Sequence, residues 1–462
     1  MADFTLPDNP KDALLIPNVR VSHLEHADDS VLLCKDPVGL QKHLDSAWVW
    51  GGDVRLQFHA LKSVGMVFGP IPNNLQPFTL GGASIPFKQS HCYIGVVFRS
   101  TSRNYFVDHY KKKAESARFA SRQVFSIESM IGAKRLPPKI GCTFYTALVD
   151  CHLIHGCEIM PDVDNVALYK LQKVQRAFLR RLLCIGFNSV LAPLFTEIGV
   201  LPIEYRRITL CLRYLEYLLE LPENRFAYMA LQANIDMVYA SQPCWLQDLR
   251  LALNKLSPQL QLPRNLRSMQ VGEIDELRKQ VSKVADEYLN SEIQKLSQTY
   301  LLCNRLEPLE DGKFTRKTRM LRHYVVLVEN ADYRRAITAL FFGRHVFAIA
   351  RLGWMKDNPI QRERRLCRFC KVVIETPEHA ALQCQADLYT VNLRNNLREA
   401  VRAGNKWEIP INLTNQSSLY WFKKILFNWD LIGLCAKYMY EISVHWAKTK
   451  MFIAAEEITG NQ

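Results

Sequence analysis

The sequence predicts an α+β chain that is mostly α-helical, with a small antiparallel β portion at the front and one small metal knuckle set among the later helices. Three observations predict it. Short apolar runs broken by tight polar or Gly-Gly pairs fill residues 21–98, helical spacing takes over from Asn104 onward, and Cys and His at ligand spacing interrupt the helices near residue 367. At 462 residues and 48% hydrophobic content the chain has material for two to four domains and a real core, which excludes a disordered or low-complexity protein. The formal net charge is +14 and the pI about 9.1. That balance suits a polyanionic partner, RNA or DNA, and it also fits a merely basic globular protein.

The thirteen cysteines are scattered, and residues 1–10 are polar and acidic rather than leader-like. The expectation is an intracellular chain, in nucleus or cytoplasm and not secreted, with mostly free thiols. No apolar run reaches the roughly 18 residues that span a bilayer, so no membrane partner is expected. Residues 208–221 look apolar but carry Arg213, Glu216 and Glu220, which makes them an amphipathic helix. No motif for a small-molecule cofactor is present.

In chain order, residues 1–18 read as a polar lead-in. Residues 21–33 place two apolar runs around Asp28-Asp29, a hairpin with adjacent carboxylates at its tip. Adjacent acids are either a solvated turn or hard oxygen ligands for a divalent cation. Asp36 then caps a helix with Pro37 at its first position, Leu40, Leu44, Ala47 and Trp48 share one face, and Gly51-Gly52 ends it. Residues 54–58 and 64–68 read as strands around Lys62. Residues 70–77 form a loop, Gly81-Gly82 turns a further hairpin, and residues 93–98 read as one more strand. The expected result is an antiparallel sheet of about five strands with one face left bare.

Beyond Asn104 a long helix carries Lys111, Lys112, Lys113, Arg118 and Arg122, and Pro137-Pro138 breaks it. Two helices follow over residues 139–160 and 165–184. The second sets Lys170, Lys173, Arg176, Arg180 and Arg181 against an apolar stripe of Leu171, Val174, Phe178 and Leu182. These cations form either a solvated face or a phosphate track. Residues 222–300 are helical and leucine-rich, with 272–298 charged enough for an exposed helix or a linker. Lys313, Arg316, Lys317, Arg319 and Arg322 cluster before another helical stretch at 333–352. In the tail, residues 418–455, Trp421, Trp429, Tyr438, Tyr440 and Trp446 read as core.

The sharpest chemical signal is Cys367-x2-Cys370-x8-His379-x4-Cys384. The first pair fits a knuckle whose amides point at the sulfurs. Pro377 opens a helix with Thr376 as cap, and His379 and Cys384 are expected near one face about one and a half turns apart. Four ligands would close a structural zinc site with no open position for a catalytic water. The other reading is four unrelated core or surface residues. Arg362, Arg364, Arg365, Arg368 and Lys371 wrap the motif, and they suggest a nucleic-acid grip.

Taken together, the hairpin His26-Ala27-Asp28-Asp29, the Lys62 unit ending in Met66-Val-Phe-Gly69, the Gly81-Gly82 hairpin, Tyr93-Ile-Gly-Val-Val-Phe98 and the later Cys-Cys-His-Cys module resemble, in order and spacing, the late palm, thumb and C-terminal module of a non-LTR (LINE-type) retrotransposon reverse transcriptase. Residues 194–202 with Arg206-Arg207 resemble the helical region after that thumb. The resemblance covers about residues 1–220 and the module. It implies a palm remnant over 1–103, a thumb-like helical domain over 104–222, a helical connector over 223–330, and a helical C-terminal region over 331–462 with a zinc knuckle at 364–387. It further implies that Asp28 and Asp29 belong to a magnesium site, that Lys62 stands near the incoming phosphates, that residues 78–85 steady the primer end, and that Lys111, Lys112, Lys113, Arg118, Arg364, Arg365, Arg368 and Lys371 face nucleic acid. The chain departs from the family in carrying His26 where an aromatic residue precedes Ala-Asp-Asp. It also shows no earlier Asp-x-x-x-aromatic-Asp strand, since Asp3 and Asp8 lie in loop context. The expectation is a fragment of an RNA-directed DNA polymerase, inactive alone for want of a missing N-terminal half, that still binds nucleic acid. The alternative is a non-enzymatic helical nucleic-acid-binding protein with a Cys-Cys-His-Cys zinc module.

Overall fold

The computed structural model describes residues 14–16, 19–71, 73, 75–355, 359–404 and 407–454. Most of the lead-in, with Asp3 and Asp8, lies outside the described residues. Helix dominates, and the strands among the described residues form only small antiparallel pairs. Contacts divide the chain into two compact units assembled from separate stretches. The first holds Met1–Ser116, His152–Gln172 and Ile203–Ser282, and the second holds Ala117–Cys151, Lys173–Pro202 and Lys283–Gln462. No helix among the described residues is long and apolar enough to cross a membrane.

In the first unit, His23–His26 pairs with Asp29–Leu32 in the expected hairpin, with His26 opposite Asp29 and Ala27 at φ 53° in its two-residue turn. Asp36 caps Pro37–Asp53 as predicted, accepting the Gly39 amide at 3.0 Å. The helix runs through Gly51-Gly52 and stops at Asp53. Its Leu40 and Leu44 pack on Phe78, Leu80 and Ile85, while Gln41 clasps Thr79, giving and taking main-chain hydrogen bonds at 2.9 Å. Thr79–Leu80 pairs with Ala83–Ser84 through Gly81 and Gly82, whose φ of 58° and 80° suit such a turn.

Three strand expectations fail here. Residues 54–58 and 64–68 are not strands. The chain folds back at 59–63, where Lys62 and Ser63 donate to the His59 carbonyl at 2.9 and 3.1 Å, and only an isolated bridge joins Gly65 to Phe87. Phe58 packs against the helix cluster instead of entering a ladder. Residues 93–98 are not one strand either, because Ile94 and Gly95, at φ 45° and 77°, reverse the chain between Ser90–Tyr93 and Val96–Arg99. The five-stranded sheet is therefore replaced by separate two-stranded ladders, each closed by its own turn.

The helices of this unit surround a buried pair. Both Asp162 oxygens lie 3.0 Å from Arg207 Nε, Tyr110 donates to Asp162 at 2.6 Å, and Arg207 also donates to the Leu153 carbonyl at 2.7 Å. Residues 272–298, expected as an exposed helix or a linker, lie mostly in the helix Val271–Lys295, which crosses the boundary of the two units at Ser282 and is not wholly exposed, since it buries Ile274, Leu277, Val281, Ala285, Leu289 and Ile293 on one stripe.

In the second unit the residues from Pro138 onward are helical, with a π-turn at Tyr145–Asp150. Ala331–Phe341 and Ile432–Ala447 frame an aromatic core of Phe341, Phe347, Phe422 and Trp446. Tyr438 and Trp446 are core, as expected. Trp421, Trp429 and Tyr440 are only half-buried, and the Trp421 ring lies tilted against that of Trp407, centroids 5.5 Å apart. Two cations of the 313–322 cluster are paired, Arg322 buried and Arg319 half-buried. Arg322 joins Arg305, Glu197, Glu307 and His323 in a buried charge cluster, and Arg319 pairs with Asp286 at 2.5 Å. Gly199, at φ 80°, lets residues 320–321 pass within 3.0 Å of where a Cβ would stand, and Ile198 bridges Leu321 there.

Candidate metal centre

Residues 365–375 make a narrow hairpin. Cys367 N–H donates to Val373 O at 2.8 Å, Glu375 N–H to Arg365 O at 2.9 Å, and Leu366 bridges Ile374. At its tip Lys371 N–H returns to Cys367 O at 2.9 Å, and Lys371 takes φ 57°, the left-handed step that turns a knuckle around its sulfurs. Backbone amides of Phe369 and Cys370 face the Cys367 sulfur, and those of Val372 and Val373 face Cys370. Thr376 caps the next turn as expected, accepting the His379 amide at 3.1 Å.

The route to convergence differs from the expected one. On an α-helix, residues five apart lie roughly 140° apart around the axis, too far to share one ion. Here His379–Gln383 is a π-turn, with Cys384 N–H donating to His379 O at 3.0 Å. An i to i+5 bond winds about one full turn in five residues and brings His379 and Cys384 together.

The four side chains meet. One donor atom from each of Cys367, Cys370, His379 and Cys384 lies within 4.8 Å of every other, and Cys370 is the least buried of the set. Cys367 and Cys384 sulfurs are 3.8 Å apart, far from the roughly 2.05 Å of a disulfide. Cys370 Sγ lies 3.5 Å from His379 Nε2. For a tetrahedral ion with metal–sulfur bonds of about 2.3 Å and metal–nitrogen bonds of about 2.05 Å, the edges are about 3.8 Å and 3.5 Å. The cluster is thus sized to hold a metal ion.

Its electrostatics favour thiolates at Cys384 and Cys370. Cys384 is pushed down to about 4, first by the hydrogen bond from Cys367, whose own thiol rises in consequence. Burial opposes ionisation of Cys370, but the Val372 and Val373 amides and the neighbouring His379 outweigh it. His379 is raised against the effect of burial by Cys384 and Cys370.

Three supports were not foreseen. Gln383 Oε1 faces His379 Nδ1 at 3.3 Å and is itself held by Leu413 O and Asn415, so it orients the ring with Nε2 towards the sulfurs. Its i+4 spacing from His379 was a readable signal. Arg394, fully buried, donates to the carbonyls of Ala380, Ala381 and Cys384 at 2.8 to 3.2 Å and so ties down the exit of the π-turn. Glu375, also fully buried, accepts the Arg368 and Ala348 amides at 2.8 and 2.7 Å and the Arg368 guanidinium at 2.6 and 3.0 Å.

That last contact corrects the expected nucleic-acid role of Arg368. It is 6% exposed, and its guanidinium is consumed by Glu375 and by the carbonyls of Val346, Trp446 and Thr449. Arg365 is likewise engaged, donating to Ile360 O and Ile349 O at 2.8 and 2.7 Å. Arg364 and Lys371 stay exposed, with Lys371 over the Phe452 ring. On Val107–Met130, Lys111, Lys112 and Arg118 are exposed and Lys113 half-buried.

The hairpin carboxylates form no comparable site. Asp28 and Asp29 are exposed, and the Cys-Cys-His-Cys set is the only metal-sized group of three or more donors among the described residues. Asp29 does act on a neighbour: with burial, its charge raises the Tyr93 phenol. Lys62 sits exposed in the 59–63 turn rather than between strands. Compared with family models, with curated proteins and with solved structures, the chain matches none.

Proposed function

We propose that this chain binds RNA or DNA and that a structural zinc ion on Cys367, Cys370, His379 and Cys384 holds the binding region in shape. We read it as the palm-remnant, thumb and C-terminal module of a non-LTR retrotransposon-type reverse transcriptase, contributing nucleic-acid grip rather than catalysis by itself. The observation that carries the reading is the convergence of three thiols and one imidazole within 4.8 Å of one another, two of their separations matching tetrahedral edges, supported by an oriented imidazole and amides aimed at the sulfurs. Zinc suits three thiolates and one imidazole, and four ligands leave no place for a reacting water. The net charge of +14 and the exposed cations Lys111, Lys112, Arg118, Arg364 and Lys371 supply the attraction for phosphate. Polymer synthesis would need magnesium held by more than Asp28 and Asp29, because two metals on a triphosphate require further carboxylates.

One observation favours the second reading, a helical zinc-knuckle protein of no polymerase descent. The front hairpins do not join the single sheet that a palm needs. Both readings share one test: metal content, with RNA and DNA affinity across a salt series, for the wild type and the Cys367→Ser, Cys370→Ser double variant. One zinc per chain, steeply salt-dependent binding and a weaker variant are expected. No zinc and no binding would end the proposal. Extension of a primer on an RNA template by the purified chain would overturn the non-catalytic part alone.

A further inference from the structure

The basic cluster at residues 313–322 supplies no ligand to the metal centre. In the second unit its middle lines a cleft of about 200 Å³. Arg305, Arg316, Lys317 and Arg322 line it, with Gln294 and Asn304 at its walls, and its lining contains no carboxylate. The inner and outer cations differ. Arg305 donates to both Glu197 oxygens at 2.8 and 2.9 Å, and Arg322 lies 3.6 Å from Glu307 and 3.9 Å from Glu197, so two buried acids behind the cleft balance two buried bases. Arg316 and Lys317 are exposed and make no ion pair among the described residues, which leaves their charge at the mouth uncompensated. The walls are held. Residues 320–322 are pinned to 196–198 by main-chain bonds, and Thr318 accepts from Asn290 at 2.7 Å.

We propose that this cleft is a phosphate notch that seats one backbone phosphate of a single nucleic-acid strand, with Arg316 and Lys317 as the charged contacts and the Gln294 and Asn304 amides as neutral donors. Guanidinium and ammonium groups beside amide donors, in a rigid concavity without an opposing acid, match a phosphodiester oxygen pair. The inference rests on the nucleic-acid-binding reading and names where in the second unit a strand is held.

The test uses the zinc-loaded full chain and a labelled single-stranded oligouridylate. Arg316→Ala with Lys317→Ala is expected to weaken binding on the order of tenfold and to reduce the salt slope by about 0.7, the loss of one single-strand phosphate contact. Gln294→Trp fills the cleft without changing charge and is expected to weaken binding as well, whereas Arg316→Lys retains most of it. If the wild type binds and both the double variant and Gln294→Trp bind equally well, the notch is wrong while the broader reading stands. If the wild type binds neither RNA nor DNA at low salt, the broader reading falls and the notch with it. If in that case inorganic pyrophosphate still raises the melting temperature of the wild type and not of the double variant, the cleft takes free phosphates, and the strand assignment is overturned.

Discussion

The Asp28-Asp29 hairpin and the Cys367-Cys370 knuckle start from the same local device. Each is a narrow antiparallel reversal with a non-glycine residue at positive φ, Ala27 at 53° and Lys371 at 57°. They end differently. The carboxylates project into solvent with no third donor beside them among the described residues, whereas the thiols meet a His and a third Cys delivered by a π-turn and backed by buried Arg368, Glu375 and Arg394. A turn presents ligands, but a metal site forms only where a second element brings the remaining donors and a packed shell holds them there.

The largest test of that contrast removes the thiols. Cys367→Ser with Cys370→Ser should abolish metal binding and cost the second unit at least about 5 kcal/mol, since structural zinc binding is folding free energy. Zinc analysis and denaturant unfolding with and without chelator measure it. An unchanged melt with full metal loss would make the ion incidental.

The shell comes next. Glu375→Gln leaves the Arg368 charge buried without its carboxylate, at an expected cost of about 3–5 kcal/mol. Denaturation curves read this directly, and Glu375→Leu with Arg368→Met should recover much of it. A loss below about 1 kcal/mol, the range of an exposed pair, would mean that the clamp matters no more than a surface salt bridge.

Another buried carboxylate of the second unit carries a pH signature. Glu307 is depressed from 4.5 to about 2; burial works against this, but the His323 hydrogen bond and the Arg305 and Arg322 charges prevail. A folded value below the unfolded one means stability is full above about pH 4.5 and is lost as pH falls towards 2, on the order of 3 kcal/mol in all. The measurement is the difference in unfolding free energy between wild type and Glu307→Gln over about pH 6 to 3. A constant difference across it would refute the assignment.

Smaller again, Gln383→Leu frees the His379 ring while leaving all four ligands, and should weaken metal binding about 10–100-fold in a chelator competition. The smallest effect belongs to the hairpin. Asp28→Asn with Asp29→Asn should shift stability by no more than about 0.5 kcal/mol and leave zinc content unchanged. Stabilisation of the wild type by magnesium, absent in that variant, would break the comparison from the other side.

Local signals were legible. Asp36 with Pro37, the paired glycines at 81 and 82, Thr376 as cap and the stripe Leu171, Val174, Phe178 and Leu182 all act as their chemistry predicts, because capping, turns and amphipathic faces depend on residues within a few positions. The ligand set was legible for the same reason. What misled was the surroundings. The 54–58 run has strand-like residues but no partner strand, and Arg368 reads as a surface cation until Glu375 and three carbonyls enclose it.

By itself, then, the sequence determined a mostly helical chain, the caps at Asp36 and Thr376, the turns at 27–28 and 81–82, and which four side chains have metal-ligand chemistry. Only the tertiary structure decided that the front strands close as separate hairpins, that a π-turn rather than an α-helical face delivers His379 and Cys384, and that Arg322 and Arg368 are internal while Arg316 and Lys317 are not. The physical reason is range. Capping and turn geometry are settled by neighbours along the chain, whereas strand pairing, burial of a charge and convergence of ligands are settled by partners far away in sequence, whose approach only the packed core specifies.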